Sequence, residues 1–154
     1  MANQNTFKQA PLPFIGQKRM FLKHFETVLN ENIKGDGEDW TIIDTFGGSG
    51  LLSHAAKVIK PKAHVIYNDF DGYAERLAHI DDINKLRAEL YSVVGNATPK
   101  NKRMTKDCKA ECIRIIQNFK GYKDLNCLAS WLLFSGQQVA TLNDLFQHDF
   151  WHCI

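Results

Sequence analysis

The spacing of apolar and polar residues predicts a helix, a strand, a second helix and a second strand in the first half of the chain. Residues 18 to 32 place apolar side chains at three- and four-residue steps, which is the pattern of an amphipathic helix. Residues 40 to 46 are rich in β-branched and aromatic residues and are bounded by turn residues, which indicates a buried strand. Helical spacing returns over residues 51 to 59, and residues 64 to 69 form a second strand.

This order of elements is typical of a parallel sheet. A strand, a glycine turn, a helix and a strand follow one another within about thirty residues and make a βαβ unit. Only two strands are evident, whereas a doubly wound sheet normally contains about four or more. We therefore predict an α/β chain that holds part of a Rossmann-like sheet and continues into a helical part.

The second half of the chain shows helical periodicity. Residues 73 to 94 are predicted to form one long helix, and residues 95 to 102 a polar loop that contains Pro99. Shorter helices are expected at residues 104 to 119, 125 to 135 and 139 to 147. We therefore divide the chain into an α/β part, residues 1–94, and a helical part, residues 95–154.

Composition narrows the class of protein. A chain of 154 residues with 44% hydrophobic residues suits one compact domain, and its net charge of +2 leaves nucleic-acid binding to local basic patches. The longest apolar stretch, residues 127 to 134, is interrupted by Ser130 and too short to span a bilayer, so we expect a cytoplasmic protein. The four cysteines include no C-x-x-C pair, which favours free thiols over a zinc site.

A glycine-rich turn is the strongest chemical signal in the sequence. Gly47, Gly48 and Gly50 lie between the first strand and the second helix, where the backbone can turn tightly and the helix N-terminus offers free amides. Asp69 follows at the end of the next strand, where a carboxylate can accept hydrogen bonds from ribose hydroxyls. The pattern indicates a nucleoside-cofactor site, and the competing interpretation is a plain tight turn followed by a solvated acid.

The glycine pattern fits a dinucleotide only in part. A dinucleotide fingerprint reads G-x-G-x-x-G, and Ser53 stands where its last glycine is expected. An oxidoreductase domain of the NAD type therefore stays as an alternative.

Three segments resemble the adenine-specific DNA methyltransferases related to bacterial and phage Dam enzymes. The pattern Asp44-x-Phe46-x-Gly48-x-Gly50 is similar to their cofactor motif, and Tyr67-Asn68-Asp69-Phe70-Asp71 is similar to the acidic motif that follows it. The segment Pro13-Phe14-Ile15-Gly16-Gln17-Lys18, just before the first helix, is similar to an N-terminal element that packs beside the cofactor. The specific resemblance covers residues 11 to 94, and it implies that the DNA target-recognition region would begin in the helical part, residues 95–154.

The resemblance implies an S-adenosylmethionine site. Lys18 would approach the methionine end and Asp44 its amino group, while the glycine turn would wrap the sulfonium and carboxylate. Asp69 would hold the ribose hydroxyls, and Phe70 would lie against the adenine ring. For Lys18, the residues alone equally allow an exposed lysine at a helix start. The cofactor-binding residues predicted in this way are Phe14, Gly16, Gln17, Lys18, Asp44, Thr45, Phe46, Gly47, Gly48, Ser49, Gly50, Asp69 and Phe70.

The catalytic motif of that family, Asp/Asn-Pro-Pro-Tyr/Phe, is absent from this sequence, which contains no Pro-Pro pair. The run Asp149-Phe150-Trp151-His152 offers a carboxylate beside aromatic rings but lacks the prolines, so the catalytic residues stay unassigned. The resemblance therefore implies the donor-binding portion of an enzyme that acts on double-stranded DNA. The alternative is that the chain is an inactive remnant or an interaction module. Such a module would self-associate or pair with the missing C-terminal part.

Basic residues around the polar loop are the remaining candidate feature. A phosphate-binding patch there would suit a DNA enzyme, and ordinary solvated charges are the alternative interpretation. The residues concerned are Lys100, Lys102, Arg103 and Lys106.

Overall fold

The computed structural model describes residues 7–154, and the chain forms two compact units. The first unit extends to Glu75, and the second runs from Arg76 to Ile154. The boundary lies earlier than residue 94, where the sequence analysis placed it, because α4 (Ile80–Ala97) packs against a helix of the second unit, α5 (Lys106–Asn118). The roles assigned to the two parts stay predictions.

The first unit is a βαβ arrangement preceded by a helix. A short 3-10 helix, Arg19–Phe21, leads into α1 (Leu22–Asn32), and β1 (Thr41–Asp44), α2 (Leu51–Ile59) and β2 (His64–Tyr67) follow. The strands pair in parallel, from Thr41 opposite His64 to Asp44 opposite Tyr67. This confirms the mixed α/β class and the parallel crossover, although both strands are shorter than predicted.

The core of this unit lies on one side of the sheet. Ile42 and Val65 point toward α1 and α2, where they pack with apolar helical side chains: Phe25, Leu29, Ile33, Ala56 and Ile59. The other side of the sheet carries Ile43 and Ile66, and both are exposed. The prediction of a buried strand therefore holds only in part, because the side chains of one face are half-buried and those of the other face are exposed.

The second unit is helical. Besides α4 and α5 it contains α6 (Leu125–Leu132) and α7 (Leu142–Gln147), and α3 (Tyr73–Ala78) crosses the boundary between the units. The predicted shorter helices are confirmed, and three of them begin where a side chain accepts a hydrogen bond from a first-turn amide. The capping residues are Thr105, Asp124 and Thr141.

The prediction of a single helix over residues 73 to 94 is wrong. The structure has two helices, α3 and α4, separated at His79, whose backbone leaves the helical conformation. Contacts from the α5–α6 connection account for the break. The His79 ring stacks on the Tyr122 ring at 4.4 Å between centroids, and the Asp82 carboxylate accepts a hydrogen bond from the Tyr122 amide at 2.9 Å. The polar loop also begins later than predicted, because α4 continues to Ala97.

The C-terminal segment of the second unit lies between two other stretches of chain. The Trp151 amide donates to the Leu132 carbonyl, and the Met104 amide donates to the Phe150 carbonyl. Elsewhere in the second unit, Arg76 of α3 forms a buried ion pair with Asp124, the residue that caps α6, with 2.6 Å between Arg76 Nε and Asp124 Oδ2. Within residues 7–154, no helix is both long and apolar enough to cross a membrane.

Candidate functional site

The glycine turn connects the carboxyl end of β1 to the first residue of α2. Gly48 and Gly50 have φ values of 50° and 68°, in the left-handed region that glycine adopts at low cost. The Gly50 amide donates to the Gly47 carbonyl at 2.8 Å, which closes the turn. No side chain caps α2, because the residue before it is Gly50. The turn therefore presents backbone amides and the positive end of a helix dipole, as predicted.

Tyr67, the last residue of β2, lies directly against this turn. A Cβ atom added to Gly47 would stand 2.2 Å from carbon atoms of the Tyr67 ring, so only glycine fits there. The Tyr67 hydroxyl lies 2.6 Å from the Gly48 carbonyl oxygen and 2.9 Å from Asp69 Oδ1, although its single proton can serve only one of them at a time. Burial, followed by the nearby Asp69 carboxylate, raises the pKa of Tyr67, so the phenol stays protonated.

Asp69 makes hydrogen bonds that its predicted role did not include. Its Oδ1 accepts from the Tyr73 amide at 2.7 Å and lies near the Tyr67 hydroxyl, while its Oδ2 accepts from the Ala74 amide at 2.8 Å. Partial burial opposes ionisation, but the Ala74 and Tyr73 amides and the Tyr67 hydroxyl together lower the pKa of the carboxyl. Asp69 is thus an ionised side chain that binds the first amides of α3.

The segment before the first helix lies beside the turn. Lys18 Nζ donates to the Phe46 carbonyl at 3.0 Å, and the Phe14 ring lies beside Gly48. A cleft with room for about one water molecule separates the segment from the turn. Its lining comprises Phe14, Gly16, Lys18, Gly47, Ser49, Leu51 and Leu52.

Three other predicted residues make contacts within the unit rather than lining this cleft. Gln17 Oε1 accepts from the Ala10 amide at 3.1 Å. Asp44 Oδ2 accepts from the Ser53 hydroxyl at 2.7 Å, and the Thr45 carbonyl accepts from the Asn68 side chain at 2.9 Å. These bonds stabilise the arm and the strand ends that surround the turn.

Two phenylalanines beside the turn are open to solvent. Phe46 follows β1 and is 81% exposed, and Phe70 follows β2 and is 90% exposed. Both rings are therefore accessible to a planar ligand. Their exposure is compatible with the stacking role that the resemblance implies for Phe70.

Sequence reasoning missed Tyr67 and Tyr73 as residues that hold this site. Tyr73 is almost fully buried, and its hydroxyl lies 3.0 Å from the Leu12 amide and 3.2 Å from the Leu12 carbonyl, which fixes the N-terminal segment. The sequence predicted only that Tyr73 begins a helix, and it favoured a core position over a ligand-binding one for Tyr67. The position of Tyr67, two residues before Asp69 on an alternating strand, was a usable signal that these two side chains share a face.

The basic residues of the second unit differ from one another in their surroundings. Arg103 forms an ion pair with Asp149, whereas within residues 7–154 no hydrogen bond of the Lys102 side chain is observed. Lys106 is the first residue of α5. Burial raises the pKa of the Cys153 thiol, and the positive charge of Lys100 opposes that effect. The negative charge of Asp149 offsets the positive charge of Arg103 in this exposed pair, so Arg103 adds less positive potential than the sequence suggested.

The Asp149 to His152 run does not form an open pocket of carboxylate and aromatic rings. Phe150 is buried, Asp149 is paired with Arg103, and the buried His152 ring lies 2.6 Å from the Thr98 carbonyl oxygen through Nδ1. These residues serve the packing of the second unit. Among residues 7–154, no three or more acidic, histidine or cysteine side chains gather in a way that could hold a metal ion.

Comparison with known proteins gives one informative match. The chain is similar to a protein called "Putative methyltransferase" from Haemophilus influenzae (strain ATCC 51907 / DSM 11121 / KW20 / Rd). The two sequences are 69% identical over all 154 residues of this chain. The chain spans about half of its relative's length, 52%. No protein-family model matches the chain, and no solved structure shows significant similarity to it.

Proposed function

We propose that this chain binds S-adenosylmethionine and forms the donor-binding part of a methyltransferase. One observation carries the proposal: the glycine turn at the carboxyl end of β1, which leads into the uncapped start of α2, lies beside Lys18 and is connected to Asp69 through the Tyr67 hydroxyl. The name and the 69% identity of the Haemophilus influenzae protein support the same chemistry. S-adenosylmethionine is the usual methyl donor of such enzymes, and a Rossmann-like sheet is the usual frame for a site of this form.

The residues of the turn fit the chemistry of this ligand. The ligand's carboxylate would meet the α2 amides and the Lys18 ammonium group, which are both positive. Its sulfonium cation would meet carboxylates and aromatic faces, which Asp44, Phe46 and Phe70 offer. A nucleoside would lie along the exposed outer side of the turn, since the cleft behind the turn has room for about one water molecule.

Asp69 has limited capacity for the ribose. An ionised carboxylate has about four lone-pair positions, and the Tyr67 hydroxyl and two α3 amides already occupy three of them. We therefore infer that Asp69 accepts one ribose hydroxyl through Oδ2 rather than both. This chain's own contribution to the reaction would be orientation of the donor, because positioning two reactants removes much of the entropic barrier to their reaction.

We further propose that the methyl acceptor is adenine in DNA. The motifs at residues 13–18, 44–50 and 67–71 support this class through their resemblance to the Dam-like enzymes. The exposed basic side chains of the second unit support a DNA partner more weakly. The groups that would bind the flipped base stay unassigned.

The test is calorimetric titration of the purified chain with S-adenosylhomocysteine, which examines the donor site without requiring turnover. We expect binding with a dissociation constant in the micromolar range, weakened about tenfold by Lys18→Met because a charged hydrogen-bond donor is lost. Lys23→Met, an exposed lysine on α1, is the matched control and should bind like the unmodified protein.

Two results would contradict the proposal. The first is a folded chain that does not bind S-adenosylhomocysteine at millimolar concentration. The second is a chain that binds NAD more tightly than S-adenosylhomocysteine, which would favour the oxidoreductase alternative.

A further inference from the structure

A cleft of about 430 Å³ lies in the second unit, beside α4. Its lining residues on that helix recur at three- and four-residue spacing, so they share one face: Asn84, Arg87, Ala88 and Tyr91. Ile154, from the C-terminal segment, completes the lining. A volume of this size falls within the usual range for small-molecule sites, about 300–1,000 Å³. We call it the α4 cleft.

Arg87 brings a positive charge to the α4 cleft. Its neighbours one helical turn away along α4 are not acidic: Ile83, Asn84, Leu90 and Tyr91. Among residues 7–154, no carboxylate forms an ion pair with Arg87. The guanidinium lies over the Trp131 ring, 6.0 Å from the ring centroid, and this contact favours one position of the side chain. The exposed guanidinium is therefore placed to form paired hydrogen bonds with a carboxylate or a phosphate.

Tyr91 gives the cleft an aromatic wall. Its ring lies beside Gly95, where an added Cβ atom would stand 3.2 Å away, and it meets the His152 ring edge-on at 6.0 Å between centroids. Although these contacts hold the ring, Tyr91 is 54% exposed. Ala88, the smallest residue of the lining, keeps the cleft open beside it. An exposed ring of this kind is suited to contact with a flat apolar group.

His152 provides a second, independent observation. It is 5% exposed, and its Nδ1 lies 2.6 Å from the Thr98 carbonyl oxygen. Within residues 7–154, no group forms a hydrogen bond with the other ring nitrogen, Nε2, although that atom is buried. Buried polar atoms normally have a partner in the protein, in water or in a ligand. An unpaired nitrogen in a ring that packs against Tyr91 therefore favours a ligand site over a plain surface groove.

We propose that the α4 cleft binds a small organic anion, a molecule that carries a carboxylate or phosphate group on a flat ring. Arg87 binds the anionic group, and the Asn84 side-chain amide lies on the same helix face to fix its orientation. The ring packs against Tyr91 and Ala88. A largely apolar lining with a few polar groups is typical of small-molecule sites.

Two features favour a small molecule over the backbone of DNA. A DNA-binding surface presents several cations to successive phosphates, whereas the described lining of the α4 cleft contains one cation. The cleft is also concave and partly apolar, which suits a ring better than a phosphate chain. Its residues all belong to the second unit, so the proposal does not depend on binding of S-adenosylmethionine at the glycine turn.

The probe for the test is phenyl phosphate, which joins a flat ring to a phosphate group and contains no nucleoside. Titration calorimetry of the purified chain should give a dissociation constant below about 1 mM. Inorganic phosphate and phenol should each bind at least about tenfold more weakly, because each makes only part of the contacts. Arg87→Gln should weaken binding of phenyl phosphate by about tenfold, since charged hydrogen bonds are lost. Lys85→Gln, at an exposed lysine of α4 outside the cleft, is the matched control and should leave the affinity unchanged.

Nuclear magnetic resonance locates the probe on the unmodified protein, so the test does not depend on a variant. The indole N–H signal of Trp131 and the Nε–H signal of Arg87 should shift on titration, whereas the indole signal of Trp40, in the first unit, should not. Four outcomes would overturn the proposal: no binding at about 10 mM phenyl phosphate, equal affinity in Arg87→Gln, unchanged Trp131 and Arg87 signals at saturation, or displacement of the probe by S-adenosylhomocysteine. Binding of a DNA duplex that depends on Arg87, without binding of phenyl phosphate, would assign the cleft to nucleic acid instead.

Discussion

Tyr67 connects three parts of the candidate site through one side chain. Its ring fills the space that Gly47 leaves, and its hydroxyl lies within hydrogen-bond distance of both Gly48 and Asp69. Asp69 in turn binds the first amides of α3. The conformation of the glycine turn is therefore coupled to the end of β2 and to the start of the next helix.

Replacing Tyr67 with phenylalanine tests this coupling. The ring would be retained, but the hydroxyl contacts to Gly48 and Asp69 would be lost. We expect the free energy of unfolding to fall by about 1–2 kcal/mol, the usual range for losing hydrogen bonds of this kind, measured by urea denaturation. S-adenosylhomocysteine should also bind more weakly, because the turn would be less ordered. Tyr91→Phe, at an exposed position on α4, is the control, and equal stability of the two variants would contradict the assignment.

Two substitutions of Asp69 separate its structural role from its charge. Asp69→Ala removes the acceptor for the α3 amides and should lower the free energy of unfolding by about 1 kcal/mol. Asp69→Asn keeps a capping oxygen and should cost less, because asparagine and aspartate are comparable caps. If Asp69 also accepts a ribose hydroxyl, the alanine variant should lose about 1.5–3 kcal/mol of binding free energy for S-adenosylhomocysteine. Unchanged affinity in a folded Asp69→Ala variant would exclude the ribose role.

The lowered pKa of Asp69 also predicts a pH dependence. A carboxyl whose pKa is lower in the folded state contributes stability above its unfolded pKa of about 3.9 and loses that contribution as the pH falls through the folded value. Stability measured by urea denaturation should therefore fall less steeply below about pH 4 in Asp69→Asn than in the unmodified protein. Identical acid profiles would show that the carboxylate gains nothing from folding.

At the scale of secondary structure, the elements of the first unit are fixed by turn chemistry, and those of the second by side-chain caps. Gly48 and Gly50 allow β1 to turn directly into α2, while Thr105, Asp124 and Thr141 begin three helices. The glycines of the chain are not equivalent in this respect. Gly47 is required by the close approach of Tyr67, whereas Gly95 lies inside α4 beside the exposed Tyr91 ring.

Alanine substitutions at Gly47 and Gly95 should therefore have opposite effects. A Cβ at Gly47 would collide with the Tyr67 ring, and we expect a loss of about 1–3 kcal/mol in unfolding free energy. A Cβ at Gly95 would lie 3.2 Å from the Tyr91 ring, which can shift outward, and alanine is favoured over glycine in a helix by about 0.5–1 kcal/mol. Thermal unfolding of both variants checks the pair, and destabilisation by Gly95→Ala of the same size as by Gly47→Ala would contradict this account.

At the scale of the whole molecule, charge is nearly balanced. The net charge of +2 gives little long-range attraction for DNA, so any binding must depend on local groups. In the second unit, Asp149 reduces the positive potential of Arg103, which leaves Lys102 as the more effective cation of the two. The DNA partner stays a proposal, and the two side chains offer a way to test it.

The salt dependence of DNA binding should distinguish these residues. If the second unit contacts phosphates, Lys102→Ala should reduce the slope of log affinity against log salt by about 0.9, the value for one phosphate contact. Arg103→Ala should reduce the slope by less, because Asp149 already offsets its charge. Lys23→Ala is the control, and fluorescence anisotropy with a DNA duplex is the measurement. An unchanged slope for Lys102→Ala would exclude this patch.

The sequence by itself determined the features that depend on neighbours along the chain. The period of apolar residues located α1, α2 and the later helices, and the glycine turn located the candidate site, because helix spacing and turn conformation are local properties. The role of Lys18 at the methionine end of the cofactor came from the resemblance and stays a prediction, although Lys18 contacts the Phe46 carbonyl beside the turn. Helix ends were less certain: α5 begins two residues after its predicted start, behind the Thr105 cap, and α7 begins three residues after its predicted start, behind the Thr141 cap.

Only the tertiary structure decided the features that depend on residues distant in the chain. Tyr122, from the α5–α6 connection, contacts His79 and Asp82 where the predicted long helix is interrupted, and Asp149 pairs with Arg103 across a wide sequence separation. Asp69 accepts a hydrogen bond from the first amide of α3. One face of the sheet is open because α1 and α2 cover only the other face. Periodicity cannot reveal such outcomes, because the contact that stabilises each of them is absent from the local sequence pattern.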